Sequence, residues 1–266
     1  MMDKQPRIYM FHRVLKNYDE KNYYYQRQTG ISWKKFIELL DTIEKKGWKT
    51  KPISALAKGY THNDVFITFD DGYRDNICVF DELINRGMIA TVYPVKDFVL
   101  DGFSPIDDMA LHLMSTPNIP KDLSRSLLGG RLKRILRGIT ASRYRYLRQR
   151  LFGIDVDADS THLFMKEHHL KLYNSQGIEL GIHGCSHRAF TQLSPRELNK
   201  ELTENFNWIR GLGCRETMSI CFPHGKHNKK VIEQSQLFGL ILLGVDCESF
   251  YPSVLRRIHI TEDYCG

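Results

Sequence analysis

Residues 65–73 read Val-Phe-Ile-Thr-Phe-Asp-Asp-Gly-Tyr, and this stretch decides the fold. Its five strand-forming residues predict a buried strand at 65–69, and Gly72 allows the chain to turn sharply after it. Asp70 and Asp71 are adjacent carboxylates. Because like charges repel, such a pair is usually held ionised by a cation or has its two pKa values pushed apart for different roles. A plain Asp-Asp-Gly turn that caps a helix is the alternative, and this stretch alone does not decide between them.

On both sides of this strand, short β-rich runs alternate with amphipathic helical patterns. Further strands are predicted at 7–11, 89–95, 178–182, 219–222, 240–245 and 255–260. Helices are predicted after Ser32, at 75–86, after the capping box that opens at Ser194, and near 229–238. The alternation indicates an α/β fold whose mostly parallel sheet is open or closed into a barrel, with sites at the C-terminal ends of strands. We expect one domain over residues 1–266, with a mainly helical insertion at about 97–171.

Composition restricts the class of protein. Of 266 residues, 42% are hydrophobic and 26% charged, which is typical of a soluble globular chain rather than a disordered or membrane-spanning one. The longest apolar run, residues 237–245, is about half of a membrane span. The first residues lack the apolar region of a secretory signal, and the six cysteines are scattered singly. We therefore expect a cytoplasmic protein.

The formal charge of +7 is concentrated in one segment. Residues 121–150, from Lys121 to Arg150, contain ten Lys or Arg and one acid, which gives +9, so the rest of the chain carries −2. Apolar residues recur there at nearly helical intervals, at Leu127, Leu128, Leu132, Ile135, Leu136 and Ile139. Such a basic amphipathic helix suits an anionic membrane surface at the inner membrane face or a phosphorylated carrier lipid. A helix packed on the barrel with a solvated basic face fits the same pattern.

A second chemistry-bearing run, residues 179–187, reads Glu-Leu-Gly-Ile-His-Gly-Cys-Ser-His. It sets His183 and His187 four residues apart, just past a predicted strand. Two neutral imidazoles and one carboxylate make a three-ligand site for Zn²⁺ or a similar divalent ion, with an open position for water and substrate. Histidine pairs at this spacing also occur without a metal. The neighbouring Asp70 and Asp71 favour the metal interpretation.

Taken together, Phe-Asp-Asp-Gly at 69–72, the His-x-x-x-His of 183–187 and Phe-Pro-His-Gly at 222–225 resemble the polysaccharide deacetylase family, the NodB homology domain of carbohydrate esterase family 4. The opening Tyr-Met-Phe-His at 9–12 also resembles the first strand of one branch of that family. The motifs extend from about residue 7 to 262, apart from the insertion. The resemblance implies a distorted (β/α) barrel of about seven strands and metal-dependent hydrolysis of an N-acetyl group on a sugar.

The resemblance also implies roles for individual residues. Asp70 would be the general base, while the metal ligands would be Asp71, His183 and His187, with Zn²⁺ as the expected ion. A backbone N–H in the turn Pro223-His224-Gly225 would bind the oxyanion. His224 stands where the family usually has an aromatic residue, which matters little if the backbone does this work.

Other departures from the family pattern concern the base and the acid. Many members carry an arginine two residues before the proline, where this chain has Cys221, and Arg256 or Arg257 on the last strand could substitute for it. His259 lies in the strand that often supplies a general acid, although a core or surface histidine is an equal alternative. His12 is interpreted as a satisfied structural histidine. Asp246 only faintly echoes the family's fourth motif and is assigned no role.

These features favour an enzyme that removes acetate from an N-acetylated sugar during the assembly of a surface glycan or glycolipid. The alternative, prompted by Cys221, is a catalytically weak carbohydrate-binding relative that keeps the metal but not the turnover. The basic segment has no interleaved aromatic residues and no nucleic-acid-reading module, so we expect no nucleic-acid partner.

Overall fold

The computed structural model of the protein describes residues 5–18, 24, 27–102, 104–107, 109–110, 122, 125–126, 130–139, 141–152, 163–214, 218–245 and 251–265. Its helices are α1 (Trp33–Lys45), α2 (Asn76–Asn85), α3 (Lys96–Asp101), α4 (Arg131–Gly138), α5 (Ala141–Phe152), α6 (Glu167–Ser175), α7 (Pro195–Gly211) and α8 (Lys229–Gln236). Its strands are β1 (Arg7–Phe11), β2 (Arg13–Leu15), β3 (Gly30–Ser32), β4 (Lys49–Thr50), β5 (Asp64–Asp71), β6 (Thr91–Pro94), β7 (Glu179–Leu180), β8 (Ser219–Cys221), β9 (Ile241–Gly244), β10 (Val254–Arg256) and β11 (Ile258–His259).

Parallel pairing arranges these strands nearly into a ring. The main sheet has the order β11-β1-β5-β6-β7, with β4 beside β5, and a second sheet has the order β10-β9-β8. A parallel bridge from Ile182 to Ile220 joins β7 to β8, and the chain itself passes from β10 to β11 through Arg257. This is the distorted (β/α) barrel that the resemblance implied, and counting β10 and β11 as one position gives the seven strands expected.

The last strand differs from its prediction. In place of one strand at 255–260, β10 pairs with β9 and β11 pairs with β1. The N–H of Arg257 still donates to Gly244 at 2.9 Å, while that of Ile260 already donates to Met10 at 3.1 Å. The chain must change pairing partners at Arg257 because β9 and β1 belong to different sheets and lie on opposite sides of the gap between them. The break falls at Arg257, whose side chain is only 1% exposed.

Two layers of apolar side chains hold the barrel together. Because side chains alternate along a strand, Val65, Ile67 and Phe69 of β5 face the outer core and Phe66 faces the barrel interior. The outer core also contains the predicted apolar face of α1, formed by Phe36, Leu39, Leu40 and Ile43. The same alternation places Asp70, four residues after Phe66, on the interior side, at the C-terminal end of the strand.

Inside the barrel, Tyr93 fixes how closely the strands approach. Its hydroxyl is 2.6 Å from the Ser219 hydroxyl. A Cβ on Gly181 would lie 2.1 Å from the Tyr93 ring, so only glycine fits there. Gly181 is therefore a packing requirement within the 179–187 run.

Two helix starts agree with their sequence signals. Ser32 accepts from the Lys35 N–H to cap α1. Ser194 and Glu197 make the reciprocal bonds of a capping box at the start of α7.

The described part of residues 97–171, the segment expected to be an insertion, is mostly helical, although Phe164 makes an antiparallel bridge to Tyr73. Leu136 of α4 packs with Tyr73 and Phe98 in a small apolar cluster, whereas Ile135 of the same helix is 52% exposed. Leu127, Leu128 and Lys121 lie outside the described residues, as does Asp246. Within the part of the chain that the structure describes, no helix combines the length and hydropathy needed to span a membrane.

Candidate active site

The structure brings Asp71, His183 and His187 together at the C-terminal ends of β5 and β7. Oδ1 of Asp71 lies 3.3 Å from the Nε2 atom of each histidine, and one ligand atom from each residue lies within 4.8 Å of the others. Two ligands of one tetrahedral Zn²⁺, each about 2.0–2.2 Å from the ion, are about 3.4 Å apart. The spacing of these atoms therefore suits a shared metal ion.

The surroundings of the three side chains also fit a cation. Asp71 Oδ1 is buried and has no hydrogen-bond partner among the described residues, which is costly unless an ion supplies the missing contact. The Nδ1–H of His183 donates to the Cys221 carbonyl at 2.8 Å, and this bond leaves the Nε2 lone pair directed at the cluster. His183 is thereby held in the tautomer that a metal ligand needs.

Neighbouring charges and burial keep Asp71 and His187 in the deprotonated form that binds a metal. Burial would raise the pKa of Asp71, but His187 and His183 hold it well below its usual value. Burial lowers the pKa of His187 to about 4, so its imidazole is neutral at neutral pH. The pKa of His183 is raised, because the carboxylates of Asp70 and Asp71 outweigh its burial. Protons therefore compete with a metal at His183 as the pH falls.

Tight turns present these side chains. Asp71 has a φ of 67° and Gly72 a φ of 81°, so the chain turns away directly after β5. His187 and His224 also have positive φ, at 57° and 59°. Left-handed backbone is uncommon for residues other than glycine and tends to cluster at functional sites.

The second acid of the pair, Asp70, is bound by a different partner. Its Oδ1 and Oδ2 accept from Nη1 and Nη2 of Arg257 at 2.7 and 2.8 Å, which is a bidentate ion pair. Asp70 is 3% exposed, and burial alone would raise its pKa. The guanidinium of Arg257 outweighs burial and holds the pKa of Asp70 below its usual value. The two adjacent carboxylates thus have separate environments, as Asp70 and Asp71 were expected to have.

A clamp from α7 holds the loop that carries the histidines. Glu201 accepts from the N–H groups of Cys185 and Ser186 at 2.6 and 3.1 Å. One turn later, Asn205 donates to the carbonyl of Gly184 at 2.9 Å. Sequence reasoning missed both residues, although their i, i+4 spacing on the buried side of a well-capped helix is a usable signal.

The sequence profile of the polysaccharide deacetylase family matches residues 57–242, which is more than half of the chain. The chain belongs to the polysaccharide deacetylase family. Family membership makes it a hydrolase of the carbohydrate deacetylase type, acting on N-acetyl groups of carbohydrates. No curated protein matches the sequence significantly.

Solved structures of similar fold include the following three proteins. The deacetylase PplD of Streptococcus pyogenes in complex with acetate is 14% identical, with a TM-score of 0.65 over 98% of this chain and 94% of that one. A de-N-acetylase from Aggregatibacter actinomycetemcomitans is 13% identical, with a TM-score of 0.64 over 99% and 97%. IcaB from Ammonifex degensii is 14% identical, with a TM-score of 0.62 over 97% and 93%. At such low identity, these matches establish the fold of this deacetylase family member.

The structure shows which arginine stands near Asp70 in a chain that has Cys221 where many family members have an arginine. Of the two arginines offered in its place, Arg257 pairs with Asp70, whereas Arg256 is exposed. Cys221 is fully buried inside the barrel, and the charges of Arg257 and Asp70 both act on its thiol. Arg257, which lies between β10 and β11, thus makes the ion pair with Asp70.

The turn at 223–225 offers one backbone donor. Pro223 has no N–H, and the N–H of Gly225 donates to Phe222 at 2.8 Å. The N–H of His224 makes no hydrogen bond among the described residues. The His224 side chain also faces the site, since its ring centroid is 4.5 Å from that of His187. Sequence reasoning had considered only its backbone.

The interpretation of His12 as a satisfied structural histidine is wrong. Its Nδ1 is buried without a hydrogen-bond partner in the described residues, and the charges of Asp71 and Asp70 both act on its pKa. Its ring lies 5.9 Å from that of His259, between centroids. Burial, with a smaller contribution from His12, lowers the pKa of His259 to about 4. The structure therefore brings both histidines close to Asp70.

Proposed function

We propose that the protein is a metal-dependent hydrolase that removes an N-acetyl group from an amino sugar in a polysaccharide, glycolipid or sugar precursor. One observation carries the proposal: a buried carboxylate held bidentately by Arg257 stands directly beside the cluster of Asp71, His183 and His187. Asp70 is then a general base in reach of a site that a divalent ion and an acetamide can share.

Zn²⁺ is our proposed ion, supported by two imidazole nitrogens, one carboxylate oxygen and their spacing. Bound there, it would polarise the acetamide carbonyl and lower the pKa of water. The contribution of the protein is to supply the ligands in their deprotonated form, with Cys221 orienting His183 and Glu201 fixing the loop of His187.

The remaining proton transfers and charges fall to other residues of the chain. Asp70 takes the proton of the attacking water, and Arg257 aims the carboxylate and keeps it ionised. The N–H of His224 is our proposed donor to the oxyanion. His259 is our proposed proton donor to the leaving amine, because its ring lies near His12 and Asp70. Its pKa of about 4 leaves the resting imidazole neutral, so it would first take up the proton that Asp70 removes from the water.

A catalytically weak carbohydrate-binding relative was the competing function, and its support was Cys221. The Asp70–Arg257 ion pair weakens that support, because an arginine from the link between β10 and β11 orients the proposed base.

We also propose that the protein acts in the cytoplasm, peripherally at the inner membrane face or on a phosphorylated carrier lipid. The support is a surface on α4 and α5 where Ile135, Tyr146 and Leu147 are 52%, 58% and 40% exposed beside Arg134 and Arg143. Exposed apolar side chains among arginines suit an anionic lipid surface.

The test of the hydrolase is acetate release from N-acetylated monosaccharides, oligosaccharides and phosphorylated sugar carriers. Protein stripped with a chelator should release none, and added Zn²⁺ should restore release. Sugar binding with no acetate from any probe, with or without metal, would instead favour the weak carbohydrate-binding relative.

A further inference from the structure

The side chain of His224 lies against the metal-ligand cluster, which is Asp71, His183 and His187. Its backbone has a φ of 59° and a ψ of 15°, a left-handed conformation that is uncommon for a residue other than glycine. Its ring centroid lies 4.5 Å from that of His187, closer than the 4.9 Å between the rings of His183 and His187. The turn at 223–225 therefore presents an imidazole to the site in addition to a backbone N–H.

The Nε2 atom of His224 has no hydrogen-bond partner. It is buried, and no described residue donates to it or accepts from it. His183 differs, because its Nδ1 bonds to the Cys221 carbonyl and its Nε2 lies 3.3 Å from Oδ1 of Asp71. A buried polar atom without a partner costs free energy, so such an atom beside a binding site indicates a ligand that supplies the missing bond.

His224 lies outside the set of metal ligands. The ligand atoms within 4.8 Å of one another come from Asp71, His183 and His187, and His224 does not belong to this group. A catalytic Zn²⁺ with three protein ligands keeps a fourth position for water or substrate. An imidazole just outside the three ligands suits a contact with the molecule in that position rather than with the ion.

The space between these side chains has the size of a small oxygen-bearing group. Asp71, His187 and His224 all line one cavity of about 30 Å³. A water molecule needs a cavity of at least about 10–15 Å³, so this one holds one or two groups of that size. The two oxygens of a carboxylate are groups of that size, whereas a sugar ring is far larger. The cavity therefore suits the acetyl end of a substrate.

The chemistry of an acetyl group matches the free nitrogen. A neutral imidazole with its proton on Nε2 is a hydrogen-bond donor. The acetamide oxygen gains negative charge as water attacks, and both oxygens of acetate accept hydrogen bonds. The histidine that stands in place of the family's usual aromatic residue keeps a flat ring and adds this donor.

We propose that the Nε2–H of His224 donates to an oxygen of the acetyl group, and of the acetate product, bound at the metal-ligand cluster. The inference rests on the proposed function and deepens it, because it adds a side-chain donor to the backbone N–H of the same residue. The side chain of His224 then contributes to binding of the acetyl group and not to binding of the metal.

Two replacements separate the nitrogen from the ring. His224→Phe keeps a flat ring and removes both nitrogens, whereas His224→Gln loses the ring and carries an amide NH₂ near the position of Nε2. Both replacements meet the same left-handed backbone, so its strain does not distinguish them. His62→Phe makes the same change as His224→Phe at an exposed position and is the control.

The experiment titrates sodium acetate into the Co²⁺-loaded proteins and follows the visible absorption of the ion. His224→Phe should weaken acetate binding by about tenfold or more, as expected for one hydrogen bond to a charged acceptor. His224→Gln should return to within about threefold of the wild type, and His62→Phe should match it. A competition titration with a zinc indicator should give the same zinc affinity for all four proteins.

The opposite results would overturn the inference. Equal acetate affinities in the wild type and His224→Phe would show that Nε2 does not contact the ligand, and so would acetate that fails to bind to the wild type. Equal losses in His224→Phe and His224→Gln would assign the effect to the turn rather than to the nitrogen. A loss of zinc affinity of about tenfold in His224→Phe would make His224 a metal ligand instead.

Failure of the inference is distinguishable from failure of the proposed function, because the titration contains no sugar. Acetate release from N-acetylated sugars, together with equal acetate affinities, would remove this contact and leave the deacetylase standing. If no sugar releases acetate, the acetate affinities still decide the role of Nε2. If the wild type binds neither Zn²⁺ nor Co²⁺, the proposed metal dependence fails, and the same comparison of acetate binding by saturation-transfer NMR decides the inference.

Discussion

The barrel end of the candidate site and the helices α4 and α5 of the expected insertion are built differently. At the barrel end, Asp70, Asp71 and His183 are buried, and each is fixed by a bond or close contact to a neighbouring strand or loop. On the insertion side, α4 and α5 expose Ile135 and Tyr146 and contribute little to the core of the barrel.

Under the proposed function, we expect the chemical step to depend on the barrel end and the binding of substrate or partner to depend on the insertion. Changes at the barrel end should affect metal content and kcat, because those side chains would act on the metal and the reacting atoms. Changes in the insertion should affect KM or partner binding and leave the chemical step intact.

The largest effect is expected from removing a ligand. His183→Ala should lose most bound zinc and reduce acetate release to background, because two remaining ligands hold zinc poorly. His168→Ala, which removes an exposed histidine of α6, is the control and should match the wild type. Equilibrium dialysis with metal analysis measures zinc occupancy. Full zinc occupancy in His183→Ala would show that zinc does not bind at the barrel end.

Next is the arginine that orients the base. Arg257→Gln should lower kcat by at least tenfold, part of the 10²- to 10⁴-fold that a general base provides. With the cation gone, burial raises the pKa of Asp70, so the base is protonated at higher pH and the acidic limb of the pH–rate profile moves upward. The exposed Arg256 offers the matched control, Arg256→Gln. If both variants shift the profile equally, the ion pair has no special role.

A smaller effect is expected from Glu201, which contacts the loop that carries His187. Glu201→Gln loses the charge that binds the N–H groups of Cys185 and Ser186, so the loop carrying His187 should loosen. Zinc affinity should fall by about 10- to 100-fold, as is typical for groups behind metal ligands. Glu204→Gln, on the same helix and 44% exposed at its side chain, should change nothing. A competition titration with a zinc indicator measures this affinity. Equal zinc affinities of the wild type and Glu201→Gln would show that the loop keeps its conformation without the Glu201 charge.

The smallest effect on catalysis belongs to the insertion surface. Arg134→Glu combined with Arg143→Glu should weaken sedimentation with vesicles of anionic phospholipid by about tenfold or more, at about 1 kcal/mol per basic residue. Hydrolysis of a small soluble sugar should stay within twofold of the wild type. The exposed pair Lys34→Glu and Lys229→Glu makes the same change in net charge elsewhere. If the wild type does not sediment even at low salt, the surface is a solvated helix face.

One structural rule made most of the fold, and the cluster of Asp71, His183 and His187, predictable from the sequence. The C-terminal ends of parallel strands meet at one end of a barrel, so motifs after β5 and β7 had to lie close together. Exact element ends were less predictable. The break at Arg257 depends on how β9 and β1 meet across the closing gap, and no local pattern encodes it.

Residues that act through distant contacts were not predictable from the sequence. His12 resembles a structural histidine until β11 places His259 beside it. Glu201 is a polar residue on an amphipathic helix. The backbone N–H groups that donate to Glu201 belong to residues 16 and 15 positions away in the sequence, so only the folded chain shows these contacts.

The central claim is that Asp70 and Asp71 divide base and ligand between them. Its most direct test compares Asp70→Asn with Asp71→Asn by zinc content and kcat on the same N-acetylated sugar. Asp70→Asn should keep stoichiometric zinc and lose about 10²- to 10⁴-fold in kcat. Asp71→Asn should lose zinc together with activity. Equal zinc loss in both variants, or full activity in Asp70→Asn, would contradict the account.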